Sequence, residues 1–174
     1  MHAVTADLIS GKAVVRESGD AVHGIVESIN LPLLSMPIHR NGQALVDGGL
    51  IDNVPADVLA AKGCNFVIAV SVTANLELEF AKNQPDTPTD QMRSASTIQT
   101  LLRSYQVQNY SMNSDWVQSA DFVIEPDLTR FELTDFARTD ELAAVGEQTT
   151  LEAIPQIREL LHKKDSQLFP LSGG

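Results

Sequence analysis

A chain of 174 residues, 43% of them hydrophobic and near-neutral in mean hydropathy, can fold as one globular domain around its own core. Its 23 acidic residues against 12 basic ones give a formal net charge of −11, which repels phosphate backbones and anionic bilayers and argues against nucleic acid as a partner. No apolar run approaches the roughly 20 residues of a membrane helix, and MHAVTADLIS lacks the cationic start and apolar centre of a signal peptide, so a cytoplasmic location is expected.

In chain order, AVTADLISGKAVVR from Ala3 to Arg16 reads as two β-rich runs around Ser10-Gly11-Lys12, a hairpin. Asp20 then caps a helix in which Val22, Ile25, Val26 and Ile29 recur at helical spacing. Leu31 to Met36, broken by Pro32 and closed by Pro37, reads as a buried apolar loop. Ile38-His39 and Gln43 to Val46 flank Arg40-Asn41-Gly42, whose Asn-Gly pair signals a tight hairpin turn.

Pro55 opens a short helix through Ala61, and Gly63 ends it. FVIAVSV, Phe66 to Val72, lacks alternation and suits a parallel strand covered on both faces. Thr73 to about Gln91 is polar, carries Pro85 and Pro88, and reads as a surface loop. Ile98, Leu101, Leu102, Tyr105 and Met112 mark one face of a long amphipathic helix. Asp121 to Glu125 is a short strand, and two helices follow, Asp135 to about Gly146 and Thr149 to Leu161, with Pro155 kinking or dividing the second. Alternating strands and helices define an α/β layered domain.

The single cysteine, Cys64, excludes an internal disulfide and a cysteine-cluster metal site, and its place at the head of an apolar run suggests an inert core thiol. G-x-G-x-x-G and G-x-x-x-x-G-K-[ST] are absent, and the four histidines, His2, His23, His39 and His162, have no metal-ligand spacing, so neither a metal nor any other cofactor is expected. No serine stands in G-x-S-x-G. The stretch QALVDGGLIDNVP holds the strongest candidate. There an apolar strand ends on Asp47, followed at once by Gly48 and Gly49. A carboxylate at the end of a strand can orient or deprotonate a hydroxyl, yet Asp-Gly-Gly is also ordinary turn chemistry. Asp52 and Asn53 read as caps for the helix opened by Pro55. Asp7 has no assigned role, and Tyr105 and Trp116 are expected to pack.

Taken in order, VTADLISGKAVVRESGD, GIVESINLPLLSMPI, LVDGGLIDNVPADVLAAKGCNFVIAVSV and the later SADFVIEPDL resemble the second half of the patatin-like phospholipase domain, in its bacterial and neuropathy-target-esterase-like branch. The resemblance implies a three-layer αβα-type fold, here incomplete, with a mixed, mainly parallel sheet and flanking helices over residues 1–165, followed by a tail at 166–174. It implies hydrolysis of lipid acyl esters by a Ser/Asp dyad, with Asp47 as the aspartate, Gly48 and Gly49 shaping its turn, and Asn53 and Pro55 as the supporting N-x-P. The family's glycine-rich oxyanion loop and G-x-S-x-G serine precede the segment with which this chain starts. The expectation is therefore a fragment or shortened homologue, inactive alone, with a lipid or ester substrate and a location in the cytoplasm or peripheral to a membrane. The alternative is a non-catalytic binding or interaction module that self-associates through the surface the missing half leaves open.

Overall fold

A computed structural model describes residues 1–32, 34–73, 76, 80, 82–83, 86–131 and 135–170. Its elements are β1 (Ala3–Asp7), β2 (Lys12–Arg16), α1 (Ala21–Ser28), β3 (Ile38–Arg40), β4 (Gln43–Asp47), α2 (Ala56–Ala61), β5 (Ile68–Val70), α3 (Thr97–Trp116), β6 (Phe122–Ile124) and α4 (Thr139–Lys164), with single 3-10 turns between some of them. The chain divides into two compact units, Met1–Pro55 with Leu76–Trp116, and Ala56–Asn75 with Val117–Gly174.

The first unit is built on a four-stranded sheet of order β2-β1-β4-β3. Every pairing in it is antiparallel, which departs from the expected mainly parallel sheet. The loops explain the difference. β3 and β4 are joined through Asn41 and Gly42, both at positive φ (50° and 75°), and a two-residue turn of that hand can only return the chain antiparallel to itself. The β1–β2 connection is nearly as short.

The two inner strands carry the core. Val4, Thr5 and Ala6 on β1 and Ala44, Leu45 and Val46 on β4 are buried consecutively, so both faces of these strands are covered. Withdrawing a side chain such as Leu45 from water contributes about 1.5–3 kcal/mol.

Helix α1 starts as expected, with the Asp20 carboxylate accepting from the Val22 amide at 2.7 Å, a cap typically worth about 1 kcal/mol. Its orientation is not the expected one. Gly24 and Glu27 are buried, while the apolar stripe of Val22, Ile25, Val26 and Ile29 is exposed. The Glu27 side chain is only 1% accessible and pairs with Arg16 Nε at 2.8 Å and Arg40 Nε at 2.9 Å. The Arg40 contact is a close ion pair without good hydrogen-bond alignment. Arg16 ends β2 and Arg40 ends β3, so one buried carboxylate ties the helix to both edge strands. The helix is pinned further where Ser28 Oγ donates to the Val4 carbonyl at 2.8 Å. The loop after it is not the buried one expected, since Leu34 and Met36 are exposed.

In the second unit β5 and β6 pair in parallel. Val67, Ala69 and Ser71 point inward, but Ile68, Val70 and Val72 on the opposite face are exposed, so the expected cover on both faces is absent from one of them among the described residues. Asp121 orders the strand entrance, with Oδ2 accepting from the Val67 amide at 2.7 Å and Oδ1 meeting Lys164 Nζ at 3.3 Å. The two closing helices expected are one, α4, which contains Pro155. Acidic Asp140 and Glu141 in its first turn and His162, Lys163 and Lys164 in its last complement the helix dipole end to end. Cys64 is exposed rather than a core thiol. Of the Thr73 to Gln91 loop the described residues, 73, 76, 80, 82–83 and 86–91, include a 3-10 turn at Thr89–Gln91, and its other residues, like 171–174 of the tail, lie outside the described residues.

Removing Glu27 leaves two arginines without their buried counter-charge. Glu27→Ala is expected to lower the stability of the chain by about 3 kcal/mol, the low end for breaking a buried ion pair because both guanidinium groups keep some solvent access. Urea unfolding of the variant against the wild type measures it.

Candidate functional site

Asp47 is the last residue of β4, facing Thr5 across the β1–β4 ladder. Its amide donates to the Asn30 carbonyl at 2.9 Å. The chain then enters a 3-10 turn, Gly48–Leu50, and Asp47 Oδ1 caps it by accepting from the Gly49 amide at 2.7 Å. This is the only hydrogen bond made to the carboxylate among the described residues. The side chain is half-buried, and burial pushes its pKa above the usual carboxylate value against the opposing pull of the Gly49 amide.

Both glycines are required by close approach. A Cβ on Gly48 would collide with the Val4 carbonyl of the neighbouring strand. A Cβ on Gly49 would come within 2.7 Å of Asn53 Oδ1, 2.9 Å of the Tyr105 hydroxyl and 3.1 Å of Asp47 Oδ1. The absence of a side chain at 49 thus lets three oxygens, from β4, the following turn and α3, converge on one point.

Asp47, Gly48, Gly49 and Asn53 are brought together, whereas Pro55 stands two residues further on, immediately before α2. Asn53, expected as a helix cap, turns its side chain toward Gly49 instead. Asp52 continues the turn, its amide donating to the Gly48 carbonyl at 2.9 Å. The turn is also held from α3, where Gln108 donates to the Leu50 carbonyl at 3.2 Å and the buried Trp116 indole to the Ile51 carbonyl at 3.1 Å.

Sequence reasoning missed Tyr105 and Asn109. Burial raises the pKa of the Tyr105 phenol, a hydrogen bond from Asn109 opposes this, and the nearby Asp47 charge adds to it. Asn109 is buried, with Oδ1 unpartnered among the described residues. A signal for it existed: position 109 falls one turn after Tyr105 in the stripe of Ile98, Leu101, Leu102, Tyr105 and Met112, where a polar residue interrupts an apolar pattern.

Asp7 has a structural role. It is buried and accepts from the Ile9 amide, the Ser10 amide and hydroxyl, and the Ala44 amide of β4. These bonds, led by Ser10 Oγ at 2.7 Å, hold its pKa down to about 2. Among the described residues, no group of three or more His, Cys, Asp or Glu side chains could hold a metal ion, and no helix is long and apolar enough to cross a membrane.

No protein-family model matches the chain. An uncharacterized NTE family protein of Mycobacterium tuberculosis is 28% identical over 169 residues, which cover 88% of this chain and 29% of the relative. Patatin-like phospholipase domain-containing protein 7 of Mus musculus is 26% identical over 165 residues, 84% of this chain and 12% of that protein. Lysophospholipase NTE1 of Kluyveromyces lactis is 41% identical over 58 residues, 33% of this chain and 4% of the relative. The chain spans less than a third of the length of each of these curated relatives.

The two aspartates should titrate with opposite consequences. Asp7, its folded pKa lowered from 3.8 to about 2, stabilises the fold above its unfolded pKa and loses that contribution as pH falls through about 2. Asp47, its pKa raised, contributes stability that is complete below 3.8 and lost as pH rises through its folded value. Urea midpoints across the acidic range are therefore expected to show the deficit of Asp7→Asn shrinking as pH falls, and Asp47→Asn gaining on the wild type as pH rises.

Proposed function

Because the chain is related to NTE-type, patatin-like proteins, we propose that it forms the aspartate-bearing part of a lipid acyl hydrolase in which Asp47 serves a serine outside these 174 residues. On this reading residues 1–165 are the C-terminal part of a three-layer αβα patatin-like domain, Gly48, Gly49, Asn53 and Pro55 support the Asp47 turn, and the protein acts in the cytoplasm or at a membrane surface. The observation that carries it is the Asp47 carboxylate, half-buried at the end of β4 with Oδ1 held by the Gly49 amide and no other hydrogen bond among the described residues. A raised pKa makes this carboxylate a better base than an exposed one.

The chemistry divides between the two parts. Asp47 accepts the serine proton as the hydroxyl attacks the ester carbonyl. The serine-bearing part supplies the nucleophile and the oxyanion donors, each such donor contributing about 2.7–4 kcal/mol. The chain alone is accordingly inactive. Supplying a segment with the glycine-rich loop and G-x-S-x-G, fused or co-expressed, should produce hydrolysis of lysophospholipid or a simple acyl ester. Asp47→Asn should then reduce turnover by about 10²–10⁴-fold, and an undiminished rate in that variant overturns the assignment.

The exposed apolar residues favour a second reading, a non-catalytic interaction module. Val22, Ile25 and Val26 on α1 with Ile29 at its C-terminal cap, and Ile68 and Val70 on β5 with Val72 just beyond it, offer binding surface within their own units. Light scattering on the eluting chain should then show concentration-dependent self-association that Ile25→Lys with Val26→Lys weakens. A strict monomer at all concentrations counts against it.

A further inference from the structure

From Ile29 to Ile38 the chain carries no ionisable side chain, although the molecule as a whole bears a net charge of −11. Ile29, Leu34 and Met36 in this stretch are exposed, Met36 to 86%. We propose that this neutral loop is a lipid-docking edge, whose apolar side chains enter a zwitterionic lipid surface and bring the Asp47 end of the sheet to it. The proposal rests on the reading of Asp47 as the base of a lipid acyl hydrolase, and it names the surface on which that site works.

Asn30 fastens the loop to the candidate aspartate. Its carbonyl accepts the Asp47 amide at 2.9 Å, and its side-chain amide donates to the Met36 carbonyl at 3.0 Å and to the Leu45 carbonyl at 3.2 Å. The antiparallel β3–β4 register pairs Ile38 with Leu45, so the segment leading into Ile38 lies at the end of β4 that carries Asp47. Just before the loop, Ser28 Oγ donates at 2.8 Å to the Val4 carbonyl, the same carbonyl against which Gly48 packs. A loop tied at these points carries the Asp47 turn with it.

The backbone of the loop suits a medium poor in hydrogen-bond partners. The Leu31 amide donates to the Ile29 carbonyl at 2.9 Å, and the Leu34 and Ser35 amides donate to the Leu31 carbonyl at 3.3 and 3.2 Å. Pro32 and Pro37 have no amide hydrogen. These five positions leave no free donor to desolvate, which is the cost that otherwise keeps irregular backbone out of lipid. A protein partner is the weaker fit, because the stretch has none of the aromatic or arginine side chains that anchor protein interfaces. A fluid hydrocarbon surface demands only apolarity. The charge of the chain selects the lipid further, since an anionic leaflet repels it and a zwitterionic one does not.

Sedimentation of the 174-residue chain with phosphatidylcholine vesicles over a range of lipid concentrations tests the proposal. The wild type should co-sediment. Leu34→Asp with Met36→Asp should lower the partition coefficient by about tenfold or more, because two apolar side chains leave the lipid and two charges resist entering it. Met36→Gln, at the most exposed of the three positions and therefore harmless to folding, should lower it by about threefold. Replacing part of the phosphatidylcholine with phosphatidylserine should weaken wild-type binding. No binding to phosphatidylcholine, unchanged binding by both variants, or a preference for the anionic vesicles overturns the proposal. Self-association relieved by the same substitutions, in place of vesicle binding, overturns it in favour of a second copy of the chain. The two readings fail separately. Full activity of the complemented Asp47→Asn enzyme removes the dyad while the vesicle binding stands, and an active complemented enzyme without vesicle affinity removes the docking edge while the dyad stands.

Discussion

The arrangement of the first unit depends on one buried carboxylate. Glu27, nearly inaccessible on α1, lies between Arg16 of β2 and Arg40 of β3, the two outer strands of the sheet. Desolvating an unpaired carboxylate is so costly that the helix can bury Glu27 only in the orientation that meets both arginines. That orientation places β1 and β4 under the helix, with Ser28 bonded to Val4 and Asn30 bonded to the Leu45 carbonyl. Asn30 also accepts the Asp47 amide on its backbone carbonyl. The same contacts that seat the helix therefore fix where β4 ends.

A helix advances about 100° per residue, so residues two positions from Glu27 point away from it. Ile25 and Ile29 are such residues, and Val22 and Val26 fall in the same outward half. The apolar stripe and the ion pair compete for the inward face, and the ion pair has it. This leaves on α1 an amount of exposed apolar surface that a helix of a self-sufficient unit would normally hide.

At the Asp47 turn the constraint is steric. Gly48 is needed because the Val4 carbonyl occupies the place of a Cβ, and Gly49 because three side-chain oxygens do. Asp47 and Asp7 make a useful contrast, as carboxylates at opposite ends of neighbouring strands. Four donors converge on Asp7 and depress its pKa. Asp47 receives one donor, and burial outweighs it. The first holds a hairpin to β4, and the second keeps a proton affinity above that of an ordinary carboxylate.

The chain's local signals were legible in its residues. Asn41-Gly42 dictated its hairpin, Asp20 its helix cap, and Gly48-Gly49 a tight approach beside Asp47, because each depends on backbone geometry or on neighbours only a few positions away. Four matters were decided only by tertiary structure: the inward face of α1, the antiparallel sheet, the open face of β5 and the arrival of Tyr105 from α3 beside Gly49. Each turns on contacts between residues far apart in the chain. Periodicity reports that a face is apolar, but which face is buried follows from the balance between burying hydrocarbon and satisfying charge, and that balance exists only once Arg16, Glu27 and Arg40 have met.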